Sequence, residues 1–254
     1  MPTQNVVSKE EWVAKRKELL VKEKELTRQR DQVTKLRQSL PWVKVEKNYE
    51  FEGPDKTESL SDLFAGKRQL IVYHFMFQSD WTEGCKSCSL IADHYEPSLS
   101  HLRARDTNMV TISRADIDRI ELFRQRMGWN FKWVSSAKSD FNFDFNVSFS
   151  TNLAEQKEVY YNYQVGSGFP STEGPGMSVF LKDDDGSIYH TYSCFSRGLE
   201  DFLGIYRLLD ISPKGRDEDD LVYGMEWVRH HDRYGDETFK DIYLELLAPR
   251  HRDK

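Results

Sequence analysis

Leu70-Ile71-Val72-Tyr73-His74-Phe75-Met76-Phe77, followed by a loop from Gln78 to Gly84 and then by Cys85-Lys86-Ser87-Cys88, decides the fold of this chain. The apolar run is short and unbroken, the pattern of a strand buried on both faces. Helical sequence runs from about Cys85 to Arg105, with a bend expected near Pro97. A strand that feeds a loop and then a C-x-x-C at a helix start is a redox arrangement with a physical basis. Unpaired N–H groups and the helix dipole favour an anion there, so Cys85 is expected to ionise more readily than a free thiol. The thiolate is the species that attacks a disulfide. Cys88 lies on the same helical face and is placed to resolve a mixed disulfide formed at Cys85. Lys86 would help the thiolate and Glu83 would oppose it.

Two other readings of the pair compete. One is a pair of inert reduced thiols. The other is a metal site using Cys85, Cys88, His94 and His101. On a continuous helix Cys85 and His101 would be about 24 Å apart, whereas zinc needs its ligands at roughly 2.0–2.3 Å. That site would require a break at Pro97. No metal and no cofactor are expected.

Working outward, Met109 to Ser113 reads as the next strand, Ala115 to Met127 as a helix, and Phe131 to Val134 as a third strand. Strand and helix alternating in this way imply parallel pairing with right-handed crossovers. Residues 135–174 form an insert. Within it Phe141, Phe143, Phe145, Val147 and Phe149 alternate with polar residues, which predicts an extended segment with one buried aromatic face. Tyr160, Tyr161 and Tyr163 follow, then a glycine-rich stretch from Gly166 to Gly176. Met177 to Lys182 and Ser187 to Ser193 flank Asp183-Asp184-Asp185-Gly186 and predict a hairpin. A helix from about Gly198 to Leu209 closes the unit.

At the N-terminus Ser8 and Glu11 have the spacing of a capping box, with a charged helix expected to about Gln38. Trp12, Leu19, Leu26, Val33 and Leu40 recur every seventh residue, without the second apolar position of a coiled coil. The stripe suits either a helix lying on the body or a dimerisation arm. Pro41 ends the helix. Residues 42–66 look extended, with one helical turn at Ser59 to Leu63. From Pro213 a tail begins acidic, carries His230-His231-Asp232, and ends in helical sequence near Thr238 to Leu247. The domains expected are an arm over 1–41, a core over 42–212 and a tail over 213–254.

The chain has 254 residues, 38% hydrophobic, 31% charged and 13% aromatic, with a net charge of -6. The acidic balance and the lack of a basic block argue against a nucleic-acid grip. No apolar run is long enough to span a membrane, and the first residues lack the apolar core of a signal peptide. A cytoplasmic location is expected. Three cysteines are too few and odd in number for a structural disulfide framework. Cys194 reads as a buried inert thiol, with a third redox partner as the alternative. The histidines of the tail suit a solvated or subunit-contacting segment better than a metal site or a base-orienting pair.

Asp80-Trp81-Thr82-Glu83-Gly84-Cys85-Lys86-Ser87-Cys88-Ser89, Ala92-Asp93-His94, Ser113-Arg114-Ala115, Met127-Gly128-Trp129, Asp140-Phe141-Asn142, His190-Thr191-Tyr192-Ser193 and His231-Asp232 resemble the DUF899 family, and the resemblance covers nearly the whole chain. It implies an α/β, thioredoxin-like (peroxiredoxin-like) central sheet flanked by helices, a long N-terminal helix and a helical C-terminal tail. It also implies a dithiol–disulfide oxidoreductase chemistry. Against thioredoxins, Gly84 and Ser87 stand where Trp and Pro are usual. The buried acid of the preceding strand maps near Tyr73 or His74, and the proline opposite the dithiol maps near Gly176, with Pro175 one residue early. Against peroxiredoxins, Thr82 matches the position three residues before the reactive Cys, and Gln78 departs from the proline expected there. Arg114, just past the second strand, suits either stabilisation of a thiolate or peroxide oxygen or a plain surface position near a helix start.

The candidate catalytic residues are therefore Cys85, Cys88, Thr82, Arg114 and His74. The activity expected is thiol–disulfide exchange with a thiol or disulfide partner. The alternatives are a peroxiredoxin-like peroxidase or a non-enzymatic redox sensor. A homodimer through the N-terminal helix or the tail is a further expectation.

Overall fold

The structure, a computed structural model, describes residues 5–155, 158–166 and 171–236. The chain divides after Trp42 into two compact units. The first contains helix α1, Lys9–Gln38, capped by Ser8, whose Oγ accepts from the Glu11 N–H at 3.1 Å. Glu10 and Glu11 in its first turn, and Lys35 and Arg37 in its last, match the helix dipole. None of its residues is buried, and Trp12, Leu19, Leu26 and Val33 are exposed along one stripe.

The second unit begins with strands β1 (Val43–Lys44), β2 (Glu50–Glu52) and β3 (Thr57–Ser59) and the turn-length helix α2 (Leu60–Leu63). A full capping box between Ser59 and Asp62 starts α2. Then come β4 (Gln69–His74), α3 (Lys86–Tyr95), a 3-10 turn at Glu96–Ser98, α4 (Leu99–Ala104), β5 (Thr107–Ser113), α5 (Ile117–Arg126) and β6 (Trp133–Ser135). The insert holds α6 (Phe141–Asp144), α7 (Thr151–Glu155) and the small hairpin β7 (Tyr160–Tyr161) and β8 (Gln164–Val165). The unit closes with β9 (Gly176–Lys182), β10 (Ile188–Phe195), a 3-10 segment at Ser196–Phe202 and α8 (Gly204–Asp210).

Among the described residues the main sheet has the order β1-β10-β9-β4-β5-β6-β2-β3. β4, β5 and β6 run parallel, and β9 and β10 join antiparallel on the other side of β4. A parallel strand pair bridged by the dithiol helix, then an antiparallel hairpin and a closing helix, is a thioredoxin-like α/β fold. The acidic turn of the hairpin works through Gly186, at φ 85°, a conformation that only glycine adopts at little cost.

Alternate residues along the strands fall into two cores, as the period of two requires. Tyr73, Met109, Trp133 and Met177 pack with α3, α5 and the cysteines. Leu70, Val72, Val110, Ile112, Val134 and Phe180 pack on the opposite face with Phe51, Phe64 and Phe141.

The aromatic insert departs from the extended segment predicted for it. Phe141 and Phe145 are also four residues apart, and α6 puts them on one side with ring centroids 4.6 Å apart, while Phe143 turns outward. The expected bend at Pro97 is the 3-10 turn between α3 and α4. The helical sequence at Thr238 to Leu247 lies outside the described residues. No helix among the described residues is long and apolar enough to cross a membrane.

Candidate active site

The end of β4 and the start of α3 are tied together by the backbone. The Cys85 N–H donates to the Met76 carbonyl at 3.0 Å, which folds the loop back onto the strand end. Cys85 is the N-cap of α3, with φ -56° and ψ 129°, and its Sγ accepts from the Cys88 N–H at 3.5 Å. The thiol thus occupies the position at which side-chain acceptors satisfy the open N–H groups of a helix. The two thiols are not joined in a disulfide, and Cys85 and Cys88 are 4% and 2% exposed.

Burial pushes the Cys88 thiol well up from its ordinary value, and neighbouring Cys85 adds to this. Hydrogen bonds from the Tyr73 hydroxyl and the Met76 backbone oppose the rise. The same Tyr73 hydroxyl lies 3.3 Å from the Cys88 carbonyl, to which it donates. Tyr73 is fully buried, and its own titration is pushed well above the ordinary tyrosine value, so it acts here as a neutral donor.

Gly84 is set by packing. A Cβ there would lie 2.6 Å from Phe75 Cε1 and 2.8 Å from Phe123 Cε1. A bulky residue before the first cysteine is sterically excluded by the aromatic rings that flank the loop.

Both cysteines open into a cavity of about 540 Å³. Pro175, Met76, Ile91, Leu203 and Tyr223 supply apolar walls, and Arg197, Glu200, Arg216 and Glu218 stand among them. Pro175 is the last residue before β9 and lines the same cavity as the two cysteines.

Glu173 is a residue that pattern reading missed. It is 1% exposed, and its carboxylate accepts from the Phe77 backbone. Burial pushes it up to about 8, against the opposing pull of Arg114, and the nearby charges of Asp80 and Cys85 raise it further. Its Oε1 has no hydrogen-bond partner among the described residues. The only local signal was an acidic side chain inside a glycine-rich stretch.

The other sequence candidates are placed as follows. His74 lies on the opposite face of β4 from Tyr73. It stacks on Phe141 and Phe145 and shares a 2.8 Å hydrogen bond with the Ser178 hydroxyl, which continues to Ser193 and His190. Burial pushes His74 down to about 3, with the proximity of His190 acting the same way. The sheet therefore separates His74 from the thiols, and Tyr73 is the strand residue on their side. Thr82 is exposed in the loop. Arg114 lies with its guanidinium 4.5 Å over the Phe143 ring and acts on Glu173 electrostatically.

Lys86, expected to help the thiolate, is tied to the C-terminal segment. It is buried, and its Nζ donates to the Glu226 carbonyl at 2.9 Å. Within the segment after Pro213, residues 225–230 are correspondingly buried or half-buried rather than solvated. His230, 2% exposed, shares a 2.8 Å hydrogen bond with the Gly84 carbonyl, and Val228 is fully buried. Glu83 pairs with Arg126 at 2.5 Å and Arg233 at 3.0 Å, and Arg126 also grips Asp232 at 2.8 Å. His231 is exposed and bonds to Asp93 at 2.8 Å.

His94 has both ring nitrogens engaged, Nδ1 with the Leu90 carbonyl at 2.6 Å and Nε2 accepting from the Ile205 N–H at 3.0 Å. His101 is exposed on α4. Cys194 is buried on β10 opposite Met177, near Tyr161 and Tyr163.

Residues 1–234 match the family described as bacterial protein of unknown function (DUF899), and the chain belongs to that family. No curated protein matches it. Among solved structures it is similar to the peroxidoxin BcpB from Mycobacterium tuberculosis, at 12% identity over 67% of this chain and 97% of that one, with a TM-score of 0.44. It is also similar to a PrxQ mutant from Xylella fastidiosa, at 14% identity over 66% and 94% of the two chains, TM-score 0.41. A reduced 2-Cys peroxiredoxin from Plasmodium vivax matches at 16% identity over 66% and 94%, TM-score 0.38.

Proposed function

We propose that this protein is a dithiol–disulfide oxidoreductase, with Cys85 as nucleophile and Cys88 as resolving thiol. The observation that carries the reading is Cys85 as the N-cap of α3, its sulfur accepting from the Cys88 N–H, with both thiols opening into one cavity. An N-cap sulfur gains most from that N–H when it is ionised.

The chemistry balances as two exchanges. The Cys85 thiolate attacks one sulfur of the substrate disulfide, the S–S bond breaks, and the other half leaves as a thiolate that takes up a proton. Cys88 then loses its proton and attacks Cys85 Sγ, forming the Cys85–Cys88 disulfide and expelling the second half. Two electrons pass from the protein dithiol to the substrate. A second dithiol, the electron donor, regenerates the pair and leaves as a disulfide. Tyr73 and the Met76 N–H stabilise Cys88 as it ionises. Glu173, raised to about 8 and sensing the charge of Cys85, is a buried group suited to carry the proton exchanged there. Arg114, turned onto Phe143, favours disulfide exchange over a peroxide-binding role.

The test is disulfide exchange by the reduced protein followed by intact-mass measurement. Cys85→Ser is expected to abolish turnover, and Cys88→Ser to stop at a mixed disulfide on Cys85. Turnover at the wild-type rate in Cys85→Ser would sink the reading.

A further inference from the structure

We infer that the cavity over the dithiol takes a small disulfide with uncharged, apolar substituents, and not a disulfide carried on a polypeptide. The inference rests on the dithiol reading above and specifies its substrate. Four observations converge on it.

The first is size and lining. The cavity of about 540 Å³ lies within the roughly 300–1,000 Å³ of small-molecule sites. Met76, Ile91, Pro175, Leu203, Tyr223 and Met225 give it apolar walls against which alkyl substituents lose water.

The second is charge. Each charged lining residue is already engaged within the protein, by ion pairs or, for Glu218, by neutral hydrogen-bond donors. Arg216 pairs with Asp210 at 2.7 Å and with Glu200 at 3.1 Å, and Arg197 pairs with Glu200 at 2.8 Å. Glu218 accepts from the Tyr206 hydroxyl at 3.0 Å, the Met225 N–H at 3.0 Å and the Trp227 indole at 2.6 Å. An ionic substituent entering here would lose hydration without gaining a dedicated partner.

The third is the backbone. A polypeptide substrate is usually held by adding a strand to an unpaired edge. Beside Pro175 that edge is occupied by the insert. The Phe149 N–H donates to the Thr172 carbonyl at 2.8 Å, the Gly174 N–H donates to the Val147 carbonyl at 2.9 Å, and Ser148 bridges Glu173. β9 itself is paired on both sides, by β4 and β10.

The fourth is access. Cys85 and Cys88 are each at most 4% exposed, and residues 223–225 form one wall of the cavity they open into. A disulfide anchored in a folded chain cannot be brought to Cys85 across that wall, whereas a small free disulfide enters the cavity.

The experiment uses the full-length reduced protein and measures formation of the Cys85–Cys88 disulfide by mass spectrometry. The probes are dipropyl disulfide, dithiodipropionate, oxidised glutathione and insulin. Each rate is divided by that of a free dithiol with the same probe, which removes intrinsic reactivity. Dipropyl disulfide is expected to be favoured over each of the others by at least about tenfold, as burial of its alkyl groups implies. Met225→Trp, which fills the cavity from its wall, is expected to lower that rate. Equal or faster normalised reaction with glutathione disulfide or insulin overturns the substrate inference and leaves the dithiol reading standing. No Cys85–Cys88 disulfide with any of the four probes overturns both.

Discussion

Glu173 and Cys85 are bonded to opposite ends of one peptide group. The Met76 carbonyl of that group accepts from the Cys85 N–H, and its Phe77 N–H donates to the Glu173 carboxylate. A buried acid with a value of about 8 therefore sits one peptide away from the thiol whose charge it senses. Ionised Glu173 disfavours a thiolate beside it. The rate of Cys85 alkylation is expected to show an inflection near pH 8 in addition to that of the thiol itself. Glu173→Gln is expected to remove that inflection, and superimposable pH–rate profiles would rule out the coupling.

His74 supplies an independent pH signature. Its folded value of about 3 lies below the ordinary 6.5, so between these limits the unfolded chain binds more protons than the native one. Stability is thus expected to fall as pH drops from 6.5 toward 3, with His74 contributing at most about 1.4 kcal/mol per pH unit. Denaturant titrations of His74→Gln should show a shallower acid slope, while exchange at Cys85 stays at the wild-type rate because the sheet lies between the two. An unchanged acid slope, or lost exchange, would contradict this placement.

Gly84→Ala tests the packing before the nucleophile. The new methyl would overlap Phe75 and Phe123, at 2.6 and 2.8 Å. Overpacking of this kind costs about 1–3 kcal/mol. A fall in thermal midpoint together with slower exchange is expected, and a midpoint equal to wild type would show that the rings give way freely.

Glu218→Ala removes one acceptor and leaves three donors, on Tyr206, Met225 and Trp227, without it. Loss of such a shared acceptor costs about 1–3 kcal/mol. Residues 218–227 are expected to lose hydrogen-exchange protection, and Cys85 to react faster with a bulky maleimide. Protection and reactivity equal to wild type would show that the wall is held by other contacts.

The strand before the dithiol was legible because β4 is buried on both faces, which an unbroken apolar run satisfies. The β9–β10 hairpin was legible because its acidic turn ends in a glycine. Phe141, Phe143 and Phe145 were misread because a spacing of four satisfies a strand and a helix equally, and packing under His74 and Phe180 decides between them. Glu173 carried only the faint signal of an acid in a glycine-rich stretch, and His230 was visible in sequence but read as solvated or subunit-contacting. What buries each is a backbone group far along the chain, at Phe77 and at Gly84. Cys85 and Cys88, by contrast, carried their chemistry in adjacent sequence. That is why the dithiol could be named beforehand and its surroundings could not.

The bond between His230 and Gly84 joins residues 146 positions apart. During synthesis at about 5–20 residues per second, roughly 7–30 s pass between the making of these two residues. Over that interval the nascent chain already contains its nucleophile and the strand that feeds it, but not the wall that narrows access to it. If the cavity selects substrates as inferred above, that selectivity is acquired late, and newly made Cys85 must remain reduced among partners that the completed cavity would exclude.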